Sequence, residues 1–181
     1  MKCIQLVPLG DVPPNLVEVL SVTLAKVFSA RCQILPPQPT PAYAFNVDRG
    51  QYSSMQILAR MAASPNLTAW KVLAVTYFDL YIPVLTFVFG EAQLDGACAV
   101  VSAHRLRQEV YGFPADQPLL QERLLKEAVH ELGHTLGLMH CDDRSCVMSS
   151  SHSVEWIDLK TARFCATCQA NSQPRLAATT R

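Results

Sequence analysis

Little in this 181-residue sequence is charged: 15 Lys and Arg balance 15 Asp and Glu, and charged residues make up 17 % of the chain. A neutral balance excludes recognition of nucleic acid through a basic field. Long apolar runs are also missing. The best membrane-helix candidate, Leu80 to Gly90, is short and interrupted by Pro83, so no membrane partner is expected. The first residues, MKCIQLVPLGDVPP, lack the apolar stretch of a signal peptide and read as the opening strand of a cytoplasmic protein. With 50 % apolar residues the chain does not read as disordered, and its length suits one domain with a real core. Seven cysteines are present, an odd number. Cytosolic thiols stay reduced, so metal binding competes with disulfides from the outset.

Periodicity organises the first two thirds of the chain. Residues 4–9 and 32–35 read as strands, with a helix from 16 to 28 between them and a Pro-rich surface connection after them. A second helix is expected from Gln51 to Ala63, ended by Ser64, Pro65 and Asn66. Three β-rich runs follow: Lys71 to Phe78, Leu85 to Gly90 and Ala97 to Ser102. Three strands without an intervening helix imply a mixed sheet with at least one antiparallel edge strand. Residues 118–136 carry the longest helical pattern, through Leu120, Leu124, Ala128, Leu132 and Leu136. Beyond it the chain turns polar and Cys-rich.

Chemistry concentrates on that last helix. His130 and His134 are four residues apart, so they differ by about 40° around the helix and can reach one metal ion. Glu131 projects beside them, close enough to move a proton without being a ligand. Gly137 can end the helix with positive φ and let the chain return His140 as a third donor. Three imidazoles leave a fourth zinc position open, the arrangement of a catalytic site. Downstream, Cys141 and Cys146 precede Cys165 and Cys168, two close pairs that match a closed tetrahedral zinc site. Two disulfides, or four unrelated thiols, are the competing reading of that spacing. Cys3, Cys32 and Cys98 read as small core residues.

The string from His130 to His140 resembles the extended zinc motif of the metzincin clan of zinc peptidases. Met148, in Ser145-Cys146-Val147-Met148-Ser149, stands where the clan has its methionine-containing turn. The cysteines narrow the resemblance to the archaemetzincins, whose pattern covers Glu127 to Cys168. Sixteen residues separate Met148 from Cys165, about one fewer than that pattern has, a difference a loop absorbs. The resemblance implies an α/β fold: a metzincin-like single domain with a twisted mixed sheet, two long helices and a short zinc-stapled C-terminal subdomain. Residues 1–137 would form the upper subdomain and residues 138–181 the lower. It further implies two zinc ions per chain, one catalytic on His130, His134 and His140, one structural on Cys141, Cys146, Cys165 and Cys168. Glu131 would be the general base and acid, and Met148 an apolar floor.

The expected activity is therefore zinc-dependent hydrolysis of peptide bonds by a monomer acting on a peptide or protein substrate. Leu85–Gly90 is the expected edge strand for an extended substrate. His152 and Tyr111 are candidate oxyanion donors, set against plainer readings as a loop histidine and a packed tyrosine. Two alternatives differ in class: a proteolytically silent zinc-containing peptide- or protein-binding module, and a zinc-ribbon-like module for nucleic acid. Hydrolysis of a non-peptide amide is a third. The carboxylate of Glu131, which a pure binding site does not need, favours an enzyme.

Overall fold

A computed structural model describes residues 2–64 and 69–177. Its main sheet has the order β2-β1-β5-β8-β7: Arg31–Ile34 (β2), Cys3–Leu9 (β1), Lys71–Thr76 (β5), Cys98–Ser102 (β8) and Gly90–Ala92 (β7). The first four strands are parallel, and β7 runs antiparallel at the edge, Glu91 opposite Val100. The mixed sheet with an antiparallel edge is as the sequence implies.

Both faces of this sheet are covered, which is why β5 and β8 read as unbroken apolar runs. Leu73, Val75, Ala99 and Val101 point into a core shared with helices Pro14–Phe28 (α1) and Gln117–Thr135 (α3). Their alternates, Ala74, Cys98 and Val100, meet Ile57 and Leu58 of helix Ser54–Ala62 (α2) on the other face. Cys98 is thus a core residue. Cys3 and Cys32 are only half-buried, and burial, with Cys3 nearby, pushes the Cys32 thiol up to about 11.

Three expectations change. The helix predicted from Gln51 begins at Ser54, because Gln51–Ser53 form a strand (β4) and the Ser53 hydroxyl caps the helix by accepting from Gln56 N at 3.4 Å. Pro65 and Asn66, expected to end it, lie outside the described residues. Strand β4 lies between Phe45–Asn46 (β3) and Leu80–Tyr81 (β6) in a second small sheet that periodicity did not reveal. Leu85 to Phe89 is not a strand. It is an irregular segment with a single bridge, Leu80 to Val88, and the edge strand starts only at Gly90. Finally, the polar C-terminal region holds two helices, Val154–Leu159 (α4) and Ala166–Ala177 (α5), the second continuing through Pro174.

Helix α3 is the element that positions the site. Asp116 caps it, its carboxylate accepting from Leu119 N at 2.9 Å. Its buried face runs from Leu120 to Thr135, and the chain leaves it at Gly137 with φ of 79°. Gly133 sits where a side chain would overlap the Met148 sulfur and crowd Phe164. Only glycine lets the fully buried Met148 approach the helix backbone so closely.

Candidate metal centre and cleft

One donor atom each from His130, His134 and His140 lies within 4.8 Å of the other two. The first two are held in a defined tautomer by backbone carbonyls. His130 Nδ1 is 2.8 Å from Val147 O and His134 Nδ1 is 2.7 Å from Leu138 O, so each Nδ1 donates and each Nε2 is free for a metal. Those Nε2 atoms are 3.1 Å apart. Two nitrogens bound at about 2.0–2.1 Å to one tetrahedral ion sit about 3.3 Å apart, so the pair fits zinc. Burial holds all three imidazoles below the ordinary histidine range, aided at each by the Lys160 ammonium. They are therefore neutral, the form that binds metal.

Glu131 is buried at the same cleft. Burial, then the neighbouring Glu127 carboxylate, pushes its carboxyl well above the usual range, while Lys160 pulls it back. Lys160 is fully buried. It lies 2.8 Å from Glu127 Oε1, off the line of a good hydrogen bond, and donates to Ser149 O at 3.1 Å. One ammonium thus joins α3 to the turn that carries Met148. No spacing signal in the sequence marks this pair, which is 33 residues apart. Glu127 could have been suspected, because it lies one helical turn before Glu131.

The cleft has a volume of about 660 Å³ and lies between segment 85–92 and helix α3. Glu91 and Ser151 line it, and each has a buried side-chain oxygen without a hydrogen-bond partner among the described residues; Glu127, also in the lining, has its Oε1 in the ion pair with Lys160. Buried polar atoms of this kind are costly unless something else supplies the bond, as a polar ligand in the cleft would. His152 lines the cleft as well, its ring edge-on to Trp156. Tyr111 is not among the lining residues, and its hydroxyl donates to Arg105 O at 2.9 Å.

Cys141, Cys146, Cys165 and Cys168 also converge, with one sulfur each inside 4.8 Å. Cys141 and Cys165 sulfurs are 3.8 Å apart, the edge of a tetrahedron with metal–sulfur bonds of about 2.3 Å and far beyond the roughly 2.05 Å of a disulfide. All seven cysteines are free thiols. At the start of α5, the Cys168 backbone N–H draws the Cys165 thiol down, to about 7, while burial pushes the neighbouring Cys168 thiol up. The backbone that carries the cysteines is laced to the methionine turn: Cys141 N donates to Met148 O at 3.0 Å, and Val147 N to Arg163 O at 2.9 Å.

Comparison with known proteins decides the family. The model of Peptidase family M54 matches residues 24–173, and the archaemetzincin of Methanocaldococcus jannaschii is 44 % identical over 173 residues, covering 96 % of this chain and 93 % of its own. The chain belongs to the archaemetzincin family. The crystal structure of archaemetzincin from Archaeoglobus fulgidus, complexed with malonate, superposes with a TM-score of 0.82 at 41 % identity, covering 93 % of this chain and 99 % of that one. A zinc-dependent peptidase from Methanocorpusculum labreanum gives 0.84 at 31 % identity with the same coverage. As an archaemetzincin the chain is a zinc metallopeptidase, and its mixed α/β single domain is that of the solved family members. No described helix is long and apolar enough to cross a membrane.

Proposed function

We propose that this archaemetzincin, a member of the metzincin clan, cleaves peptide bonds at the His130–His134–His140 centre, with Glu131 as general base and acid. The supporting observation is the pair of carbonyl-anchored imidazoles beside a buried carboxylate on one helix face. A zinc ion held there supplies Lewis acidity, which acidifies water and polarises a carbonyl. Glu131 takes the proton of the attacking water and hands it to the leaving amine. Cys141, Cys146, Cys165 and Cys168 hold a second, structural zinc. Residues 1–137 form an upper subdomain that brings β7 and α3 to the cleft, and residues 138–181 a lower one that adds Met139, His140 and Ser150 to His152. An extended substrate adds to the open edge of β7, Gly90–Ala92, which lines the cleft and, among the described residues, pairs with β8 alone. Each site is complete within one chain, so a monomer suffices, and seven unpaired thiols suit the reducing cytoplasm.

Glu131→Gln tests this reading. It should keep both metal sites filled yet lower turnover of any peptide that the parent cleaves by about 10³-fold. Metal analysis beside a peptide-library screen reads both quantities. Undiminished cleavage by the variant would remove Glu131 from the mechanism; full metal content with no cleavage by the parent would favour a silent binding module.

A further inference from the structure

Segment Leu85–Phe89 forms one wall of the cleft, yet its β-rich sequence makes no ladder. Its backbone is held by side chains from far earlier in the chain. Arg49 Nη2 donates to Leu85 O at 2.8 Å and Thr86 O at 3.0 Å. Gln51 Nε2 donates to Thr86 O at 2.9 Å and to Asp79 Oδ2 at 3.0 Å, while its own oxygen accepts from Arg49 Nε at 2.9 Å. Both hydrogens and the oxygen of the buried Gln51 amide are thereby used. Asp79 in turn receives a two-pronged bond from Arg105 at 2.6 and 2.7 Å, and the Arg105 guanidinium lies 4.3 Å over the Phe87 ring. Phe87 meets Phe89 edge to face, and both rings line the cleft. Arg49 itself stacks 4.3 Å over Tyr81 of β6.

Neither Arg49 nor Gln51 lines the cleft. They touch the wall, not its contents. The small β3-β4-β6 sheet supplies both ends of this arrangement, Gln51 from β4 and Tyr81 from β6; among the described residues the wall's other backbone bonds are Val88 N to Leu80 O, also of β6, Ser102 N to Phe89 O, and the local turn from Leu85 N to Ile82 O.

We propose that Arg49 and Gln51 are positioning residues that clamp the Leu85–Phe89 wall in the shape that receives substrate. This rests on the cleft being the peptide-binding site. A wall that must be ordered anew for each binding event weakens binding without altering the reacting groups. The clamp therefore acts on KM and leaves kcat alone.

The test compares Arg49→Met, Arg49→Lys, Gln51→Leu and the parent, each metal-loaded. Amide exchange is followed at Leu85 and Val88, whose N–H groups bond Ile82 O and Leu80 O. In Arg49→Met and Gln51→Leu, exchange there should rise about tenfold. KM for a quenched-fluorescent peptide taken from a library screen should rise about five- to tenfold, with kcat within about twofold. Arg49→Lys, which restores one donor, should recover part of the loss in KM. Unchanged exchange would show that there is no clamp. Faster exchange with KM unmoved would reduce the network to a structural role, and a fall in kcat at constant KM would place it in the chemistry. If the chain binds peptide without cleaving it, the same comparison is read from the Kd of a fluorescein-labelled decapeptide. Failure of turnover and failure of the clamp thus give separate signals.

Discussion

The imidazole cluster and the thiol cluster adjoin in sequence, at His140 and Cys141, and gather their donors to the same tightness, yet they are built in opposite ways. Two of the three histidines ride a 19-residue helix packed on the sheet, with rings aimed by Val147 O and Leu138 O. Protein packing supplies that order. The four cysteines come from a loop and from the start of α5; Cys146 and Cys168 are buried at the margin of the main core, and Cys141 and Cys165 pack half-buried against it. There we expect a metal to complete the order. The two meet at Val147, whose carbonyl aims His130 and which lies between Cys146 and Met148. We expect the thiol cluster to steady that side of the imidazole cluster.

Breaking the thiol cluster should have the largest effect. Cys165→Ser with Cys168→Ser removes two thiolates, and binding energy that is also folding energy is lost with them. We expect a stability loss of about 5 kcal/mol or more, a fall of roughly 10–20 °C in Tm by calorimetry. Metal at the imidazole site should drop as well, since the Val147 carbonyl loses its support. Full occupancy of that site in the double variant would make the two clusters independent.

A smaller effect is expected where the two regions touch. Gly133→Ala would drive a methyl against Met148 and Phe164. Overpacking of this kind costs about 1–3 kcal/mol, partly offset by roughly 1 kcal/mol of helix preference for alanine over glycine. Denaturant unfolding should show a net loss. Adding Met148→Ala should make the Gly133→Ala change less harmful than it is alone. Additive effects of the two would mean that the close approach carries no energy.

What the sequence makes legible follows the same division. Donors spaced four apart on a periodic helix map directly onto one face, and Gly137 marks where that helix ends, so the imidazoles were legible. The paired cysteines were legible as a group, though spacing alone could not choose between metal and disulfides. Leu85 to Gly90 misled because β preference is local while the competitor is not: the Thr86 carbonyl that a ladder would use is taken by Gln51, 35 residues earlier. The Lys160–Glu127 contact was invisible for the same reason. Helix α5 was hidden by its polar composition and Pro174, and the β3-β4-β6 sheet by strands of only two or three residues.

The smallest effect sharpens the claim that protein packing orders the imidazole side. At the C-terminal end of α3 the buried Lys71 ammonium donates to Thr135 O at 2.7 Å and Gly96 O at 2.6 Å, while Asp95 N donates to His134 O at 2.9 Å. Burial lowers the Lys71 pKa from 10.5 to about 8, although Asp95 raises it in part. A folded pKa below the unfolded one means that the unfolded chain holds more protons between the two values. Stability should therefore rise from about pH 8 to about pH 10.5, and on acidification this gain is lost by about pH 8 and flat below it. Lys71→Met removes this titration. Unfolding free energies of parent and variant, measured by denaturant from pH 7 to pH 10.5, should differ by a constant below pH 8 and then shift in the parent's favour. A shift in the variant's favour would mean that the two carbonyls hold the ammonium more strongly than burial opposes it. The end of the metal-binding helix would then be fastened by a charge, and not by packing around a group on the verge of losing one.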